Sequence, residues 1–367
     1  MILQFGAGNF LRGFVDLFAA QLNRNPSTRV GPVVVVQSTG SGRAEALNRA
    51  EGKYHVAVQG FVAGKVIDEV EYVDSILRAL SADSQWDEVL ATALDPDLKM
   101  VVSNTTEAGL ALDAADTVNE GTPRSFPAKL LSLLLARHSA ALDPLVIVPC
   151  ELVERNGERL RDLVMQQADR WQVGKDAADW IREESIWINN LVDRIVPGPP
   201  RSHPLLEEDP LLLATEPFAL WALETPNGFA FTNPEVRTTP DLSPYYLRKV
   251  RILNGLHSAL ASHARPLGIA TVGECVDHPK IGPWLQDLLF GEIVPAIEGR
   301  AEEAASFAMA TLDRFRNPFL KHELSSIALN HKAKVEVRLL PTYEEYRRLF
   351  EKEPVILGKL LRGEGLI

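Results

Sequence analysis

The chain opens Met1-Ile2-Leu3-Gln4-Phe5-Gly6-Ala7-Gly8, two glycines set directly behind a short apolar strand and ahead of a stretch with helical spacing. A turn of this kind lets backbone approach a pyrophosphate without side-chain interference, and the helix that follows presents free N–H groups to it. A bare glycine pair also serves as a plain turn, so it is the flanking strand and helix that favour nucleotide binding. The usual G-x-G-x-x-G spacing is not kept: Leu11 stands where the third glycine belongs, and Gly13 follows two positions later.

The first 150 residues alternate short apolar runs with longer amphipathic ones, the arrangement of parallel strands joined by crossover helices. Strands are expected at 2–5, 33–37, 100–103 and 145–148, and helices at 10–22 and 129–137. Val33-Val34-Val35-Val36 is apolar on both faces, as a strand covered by helices on both sides must be. The expected fold class is therefore α/β, with a doubly wound parallel sheet first. Pro197-Gly198-Pro199-Pro200 then punctuates the chain, a strand is expected at 218–223, and from Tyr245 onward the pattern is mostly helical, including 247–262 and 301–316. These textures predict a dinucleotide-binding domain over 1–195 and a mainly helical substrate domain over 196–367. Asn317-Pro318 is expected to end one helix and start another.

The 367 residues, 46% of them hydrophobic, suffice for two ordinary cores. With 38 basic against 49 acidic residues and a net charge of −11, a nucleic-acid backbone would be repelled. The N-terminus shows no secretory pattern, no apolar run reaches the roughly 18 residues of a membrane span, and two cysteines cannot form a disulfide framework. A cytoplasmic protein without nucleic-acid or membrane partners is the expectation.

An acidic residue commonly ends the second strand of a dinucleotide fold and holds the adenosine ribose. Gln37-Ser38-Thr39 stands there instead, with Arg43 nearby, which leaves both NAD and NADP open.

Lys249, Asn254 and His257 lie in one helical run and project at about 0°, 140° and 80°, within one broad face. Their chemistry suits alcohol–ketone interconversion: an amine to move the proton, an amide to support the oxyanion and an imidazole to orient a hydroxyl. Eight residues span about 12 Å along an α-helix, so convergence needs a distorted turn or an elongated substrate. A solvated basic face with a core histidine fits the same spacing.

This K-x4-N-x2-H arrangement resembles the signature of the polyol-specific long-chain dehydrogenases, the mannitol dehydrogenase family. Gln4-Phe5-Gly6-Ala7-Gly8-Asn9-Phe10-Leu11-Arg12, Ser103-Asn104-Thr105-Thr106-Glu107-Ala108-Gly109 and Pro149-Cys150-Glu151-Leu152 support it in that family's order, as do Leu191-Val192-Asp193-Arg194-Ile195-Val196 and Asn317-Pro318-Phe319-Leu320-Lys321-His322. The likeness covers nearly the whole chain and is greatest to the branch that acts on hexuronates; larger relatives continue beyond the position of Ile367.

The resemblance implies a metal-independent oxidoreductase with a Rossmann domain and a helical substrate domain, transferring hydride between NAD and a sugar acid. It implies Lys249 as acid/base, Asn254 and Asn189 as oxyanion donors and His257 as substrate-orienting group. Gly6, Gly8, Asn9, Phe10, Gln37, Asn104, Thr105 and Glu107 would hold the cofactor. A substrate carboxylate needs a cation, for which Arg314, Lys321, Lys334 and Arg338 are candidates, although each taken singly is more often a surface charge. A monomer or weak homo-oligomer is expected. Mannitol, another polyol or fructuronate remain alternative substrates, and a protein that binds NAD(H) without turnover is an alternative function.

Rival motifs are weaker. Tyr245-x3-Lys249 matches the pair of short-chain dehydrogenases, but Pro244 and Tyr245 also suit a helix start. His257, His263, Cys275 and His278 have only loose metal-ligand spacing.

Overall fold

The computed structural model describes residues 1–105, 109–118, 121–225, 231 and 233–367. Its contacts divide the chain into two units, the first holding Met1–Ala57, Val70–Thr215 and Ala219–Pro240, and the second holding Val58–Glu69, Glu216–Phe218 and Asp241–Ile367.

The first part of the chain forms strands β1 (Ile2–Phe5), β2 (Val33–Gln37), β3 (Tyr54–Val62), β4 (Lys65–Val73), β5 (Ile76–Ser81), β6 (Met100–Ser103), β7 (Val146–Pro149) and β8 (Ile186–Trp187), all in the first unit except the Val58–Glu69 portion of β3 and β4, which counts with the second. A parallel sheet runs β5-β2-β1-β6-β7-β8. β1 and β6 are wholly buried, and so is β2 up to Gln37, as strands covered on both faces must be. Helices α1 (Asn9–Arg12), α2 (Val15–Asn23), α3 (Gly42–Arg49), α4 (Trp86–Ala93), α5 (Phe126–Ser139), α6 (Asn156–Arg170) and α7 (Lys175–Asp179) intervene. The helix expected over 10–22 is broken into α1 and α2 at Gly13-Phe14. A Cβ on Gly13 would lie 2.9 Å from Leu213 and 3.0 Å from Val196, so close packing requires glycine there. Leu3, Val34, Val101, Leu130 and Ile147 belong to the core between sheet and helices.

The boundary falls near 240, not near 195. β9 (Asn190–Asp193), β10 (Leu213–Thr215), β11 (Leu220–Glu224) and β12 (Val236–Thr239) follow, and β12-β11-β9 form a sheet of their own. β11 pairs β9 across the proline-rich stretch, so strand pairing, which the loop-like texture hides, keeps this stretch with the first unit.

The second unit is mostly helical: α8 (Ser243–Arg248), α9 (Gly255–His263), α10 (Val272–Asp277), α11 (Ile281–Leu288), α12 (Val294–Ile297), α13 (Ala304–Phe315), α14 (Leu324–Ile327), α15 (His331–Arg338), α16 (Leu340–Phe350) and α17 (Val355–Gly363). Ile252, Leu256, Leu260, Val335 and Leu339 are among its fully buried core residues. No helix begins at Pro318. Asn317 folds back instead, its Oδ1 accepting from the Phe319 amide at 2.9 Å and its Nδ2 donating to the Gln59 carbonyl at 3.0 Å, and the next helix waits until Leu324. No helix among the described residues is long and apolar enough to cross a membrane.

Candidate active site

At the C-terminal ends of β1, β2 and β6 the first unit opens a cavity of about 700 Å³, within the range usual for small-molecule sites. It lies where the strand order reverses beside β1, the place where α/β sheets bind ligands. Gly6 has φ of +131°, and a Cβ there would stand 3.0 Å from Leu11 and 3.2 Å from the Asn104 carbonyl. A Cβ on Gly8 would meet no atom within 4 Å, so this glycine leaves room on the cavity side. Gly13 supplies the close helix packing that the third glycine of the motif ordinarily provides, from its displaced position.

Gln37 occupies the position of the missing acid and acts on the loop. Its Oε1 accepts from the Arg43 and Ala44 amides at 2.9 and 2.8 Å, and its Nε2 donates to the Thr39 carbonyl at 2.8 Å, capping α3. Asn104 and Thr105 line the cavity and are held from behind. Asn104 Nδ2 donates to the Cys150 carbonyl at 2.6 Å, and the Thr105 amide and hydroxyl donate to Glu151 at 2.8 and 3.1 Å. Burial pushes the Glu151 carboxyl up, while these donors and Ser103 pull against it. Glu107 lies outside the described residues. Asn9 and Phe10 are not part of the cavity wall: Asn9 accepts from Arg12 at 2.8 Å and Phe10 stacks on Phe14 at 4.9 Å.

Two residues of this region were not among the expected site residues. Glu151 stands two residues beyond β7, at the end of the sheet where functional groups gather, a signal that an isolated acid gives weakly. Lys129 stands in the first turn of a largely apolar helix; it lines the cavity, donates to the Arg124 carbonyl at 2.7 Å and has its pKa lowered by burial.

In the second unit the three polar residues stand on a helix that changes its winding. Residues Lys249–Asn254 form a π-helical turn between α8 and α9. With i→i+5 bonding at about 4.4 residues per turn, Asn254 falls roughly 50° from Lys249 instead of 140°, and His257 returns to within about 10° of it. The broad face expected from α-helical spacing becomes a narrow one, and the looser winding shortens the axial distance as well. Lys249 and Asn254 are half-buried and His257 is buried. The His257 ring packs against Phe315 and, nearly edge-on, against His322, each at 4.6 Å. Burial holds the His322 pKa below its ordinary value.

The arginines flanking the lysine are committed elsewhere. Arg248 lies over the rings of Tyr245 and Phe307 and donates to the Glu302 carbonyl at 2.8 Å. Arg251 donates to the carbonyls of Val337 and Arg338 at 2.5 and 3.3 Å.

The other candidates separate. Asn189 belongs to the first unit, and its amide is already engaged: Nδ2 donates to Glu158 and Glu224 at 3.1 and 2.7 Å, and Oδ1 accepts from the Glu158 amide at 3.0 Å. The structure therefore shows it as a brace between α6 and β11, with its donors turned to carboxylates. Arg314 is buried in a two-pronged pair with Glu216 at 2.9 and 2.8 Å and lies over Phe218 at 4.3 Å, so its charge is not offered to a substrate. Lys321 pairs with Glu323 at 2.6 Å on the surface, and Lys334 donates to the Ile327 carbonyl at 3.0 Å. Arg338 reaches the helix that carries the polar face, donating to Ser258 at 3.2 Å and to the Asn254 carbonyl at 3.4 Å. His263 stacks on Trp284 and the His278 ring accepts from the amides of Lys280 and Ile281; no three His, Cys, Asp or Glu side chains converge among the described residues.

A parallel sheet with a glycine turn at its switch point, and a helical unit presenting Lys, Asn and His from one helical run, are the parts of a two-domain nucleotide-dependent oxidoreductase. The chain belongs to the mannitol dehydrogenase family: residues 1–238 match its Rossmann domain and residues 241–350 its C-terminal domain. It is 38% identical to the altronate oxidoreductase of Bacillus subtilis (strain 168) over 361 residues, 94% of this chain and 75% of that one. It is also 38% identical to the altronate oxidoreductase of Yersinia enterocolitica over 370 residues, covering 96% and 76%. Two solved structures share the fold. One is a substrate-free D-sorbitol dehydrogenase at 22% identity (TM-score 0.83, 98% of this chain and 80% of that one). The other is Pseudomonas fluorescens mannitol 2-dehydrogenase in ternary complex with NAD and D-mannitol at 21% (TM-score 0.76, 100% and 78%).

Proposed function

We propose that the protein interconverts tagaturonate and altronate, a hexuronate ketose and its aldonate, by reversible hydride transfer with NAD(H). The observation that carries this reading is the π turn over Lys249–Asn254, whose winding would bring Lys249, Asn254 and His257 onto one narrow face. Family membership and the 38% identity to altronate oxidoreductases over almost the whole chain support the reaction class and the sugar acid.

The cavity at Gly6, Gly8, Asn104 and Thr105 suits a dinucleotide, because backbone and small side chains form the wall where phosphates must approach. Bound nicotinamide supplies the hydride acceptor or donor. In oxidation the Lys249 amine takes the hydroxyl proton, the Asn254 amide donates to the oxygen as charge grows on it, and the His257 ring holds a neighbouring hydroxyl. In reduction Lys249 returns the proton. Arg338, beside Asn254, gives the substrate carboxylate its cation, with Lys334 one turn earlier on α15. We place the reaction in the cytoplasm, which suits two buried free thiols; burial pushes Cys275 up to about 11 and raises Cys150 as well.

The test is a panel of tagaturonate, fructuronate, fructose and mannitol with NAD(H). Tagaturonate reduction should dominate, and Lys249→Ala should lower kcat by about 10²–10⁴ while leaving NADH affinity within about two-fold. Dominant turnover of a neutral polyol would move the protein to another branch of the family. No hydride transfer with any of the four would leave a nucleotide-binding protein.

A further inference from the structure

The end of the cavity beyond β2 carries a feature that the proposed reaction does not use. A site selective for NAD places a carboxylate there, which accepts from the ribose hydroxyls and repels a phosphate. Here that position is Gln37, which is neutral and holds three backbone groups of its own loop. The carboxylate in the cavity wall, among the described residues, is Asp113, and it accepts from the Ala115 amide at 2.8 Å.

Beside Gln37 the wall holds Ser38, Thr39 and Arg43. The Ser38 hydroxyl is buried and has no hydrogen-bond partner among the described residues, a state that burial penalises unless a ligand completes it. The Arg43 guanidinium is exposed on the first turn of α3 and makes no hydrogen bond or ion pair among the described residues. The amides of Arg43 and Ala44 are taken by Gln37, so side chains and not the helix end must hold an anion here. Gly42 leaves space: a Cβ on it would meet nothing within 4 Å. The loop has no acid of its own, although the Asp83 carboxylate accepts from its Gly40 amide at 2.9 Å; its unpaired hydroxyl and unpaired guanidinium fit a phosphate monoester, which arginine grips through paired N–H donors.

We propose that this end of the cavity accepts a phosphate on the adenosine ribose, so that the protein binds NADP(H) as well as NAD(H), with Arg43 setting the preference. The inference rests on reading the cavity as a dinucleotide site.

Calorimetric titration with NADH, NADPH and 2′,5′-ADP tests it on the whole chain, independently of turnover. NADPH should bind within about ten-fold of NADH, 2′,5′-ADP should bind more tightly than 5′-ADP, and Arg43→Ala should weaken NADPH at least about ten-fold more than NADH. NADPH binding more than ten-fold weaker than NADH, or a loss in Arg43→Ala that is equal for both, overturns the proposal while the dinucleotide reading stands. If neither nucleotide binds, the dinucleotide reading falls and this inference falls with it.

Discussion

The two units prepare their chemistry on different supports. In the first, the cavity wall is made by loops at the ends of buried parallel strands, and what it offers is mainly backbone, glycine and short polar side chains braced from behind by Gln37 and Glu151. In the second, the polar groups project from a single helix, and their mutual direction depends on how that helix winds between Lys249 and Asn254. Recognition by backbone tolerates changes in neighbouring side chains but not an added Cβ at the turn. The direction of side chains on a π turn depends on the packing that maintains the irregular winding.

Changes that load the two supports differently should separate them. The largest expected effect on stability lies in the helical unit. Arg314→Met removes the arginine from the buried Glu216 carboxylate and should cost about 3–5 kcal/mol in urea unfolding, most of which Arg314→Met/Glu216→Leu together should recover. A single variant of unchanged stability that selectively loses hexuronate turnover would instead make Arg314 the substrate cation.

Next comes a buried carboxyl beneath the sheet. Asp16 is fully enclosed, accepts from Gln4 at 3.3 Å, and burial lifts its pKa from 3.8 to about 7. Between those values the folded chain keeps a proton that the unfolded chain has lost, so this group's contribution to stability is greatest below pH 4 and declines as pH rises towards 7. Asp16→Asn should remove that slope and leave the protein more stable at pH 8 by on the order of a few kcal/mol. Parallel stability–pH curves for parent and variant between pH 4 and 8 would refute the assignment.

The smallest effect sharpens the contrast at the glycine turn. Gly6→Ala forces a side chain into a backbone of φ +131° and should cost about 1–3 kcal/mol together with NADH binding. Gly8→Ala, whose Cβ meets open space, should change stability by no more than about 0.5 kcal/mol while still weakening NADH. Equal destabilisation by the two would mean that the turn is only structural.

Much of the first unit was legible because its signals are local. The expected strands at 2–5, 33–37 and 100–103 form as read, and β7 is displaced by one residue, since a short all-apolar run between turn residues has few ways to be satisfied. After residue 195 the strand expected at 218–223 forms, shifted, as β11, but its pairing was not legible, because β9 and β11 find each other across a loop-rich stretch that carries no periodicity. In the second unit the residue types of the site were visible, but their geometry was not: α-helical arithmetic spreads Lys249, Asn254 and His257 over about 140°, and the π turn roughly halves that spread. The cations around Asn317 read alike in sequence, yet one is locked to Glu216, one pairs at the surface and Arg338 meets the polar helix.

By itself, then, the order of residues determined the parallel sheet, the glycine turn and the set of groups able to move a proton and support an oxyanion. Those depend on periodicity and on side-chain chemistry within a few neighbours. Tertiary structure alone decided the winding at Lys249, the unit boundary near 240 and the engagement of Arg314 and Asn189. Glu216 and Arg314 are 98 residues apart, and whether such groups meet is settled by packing, which no local pattern records.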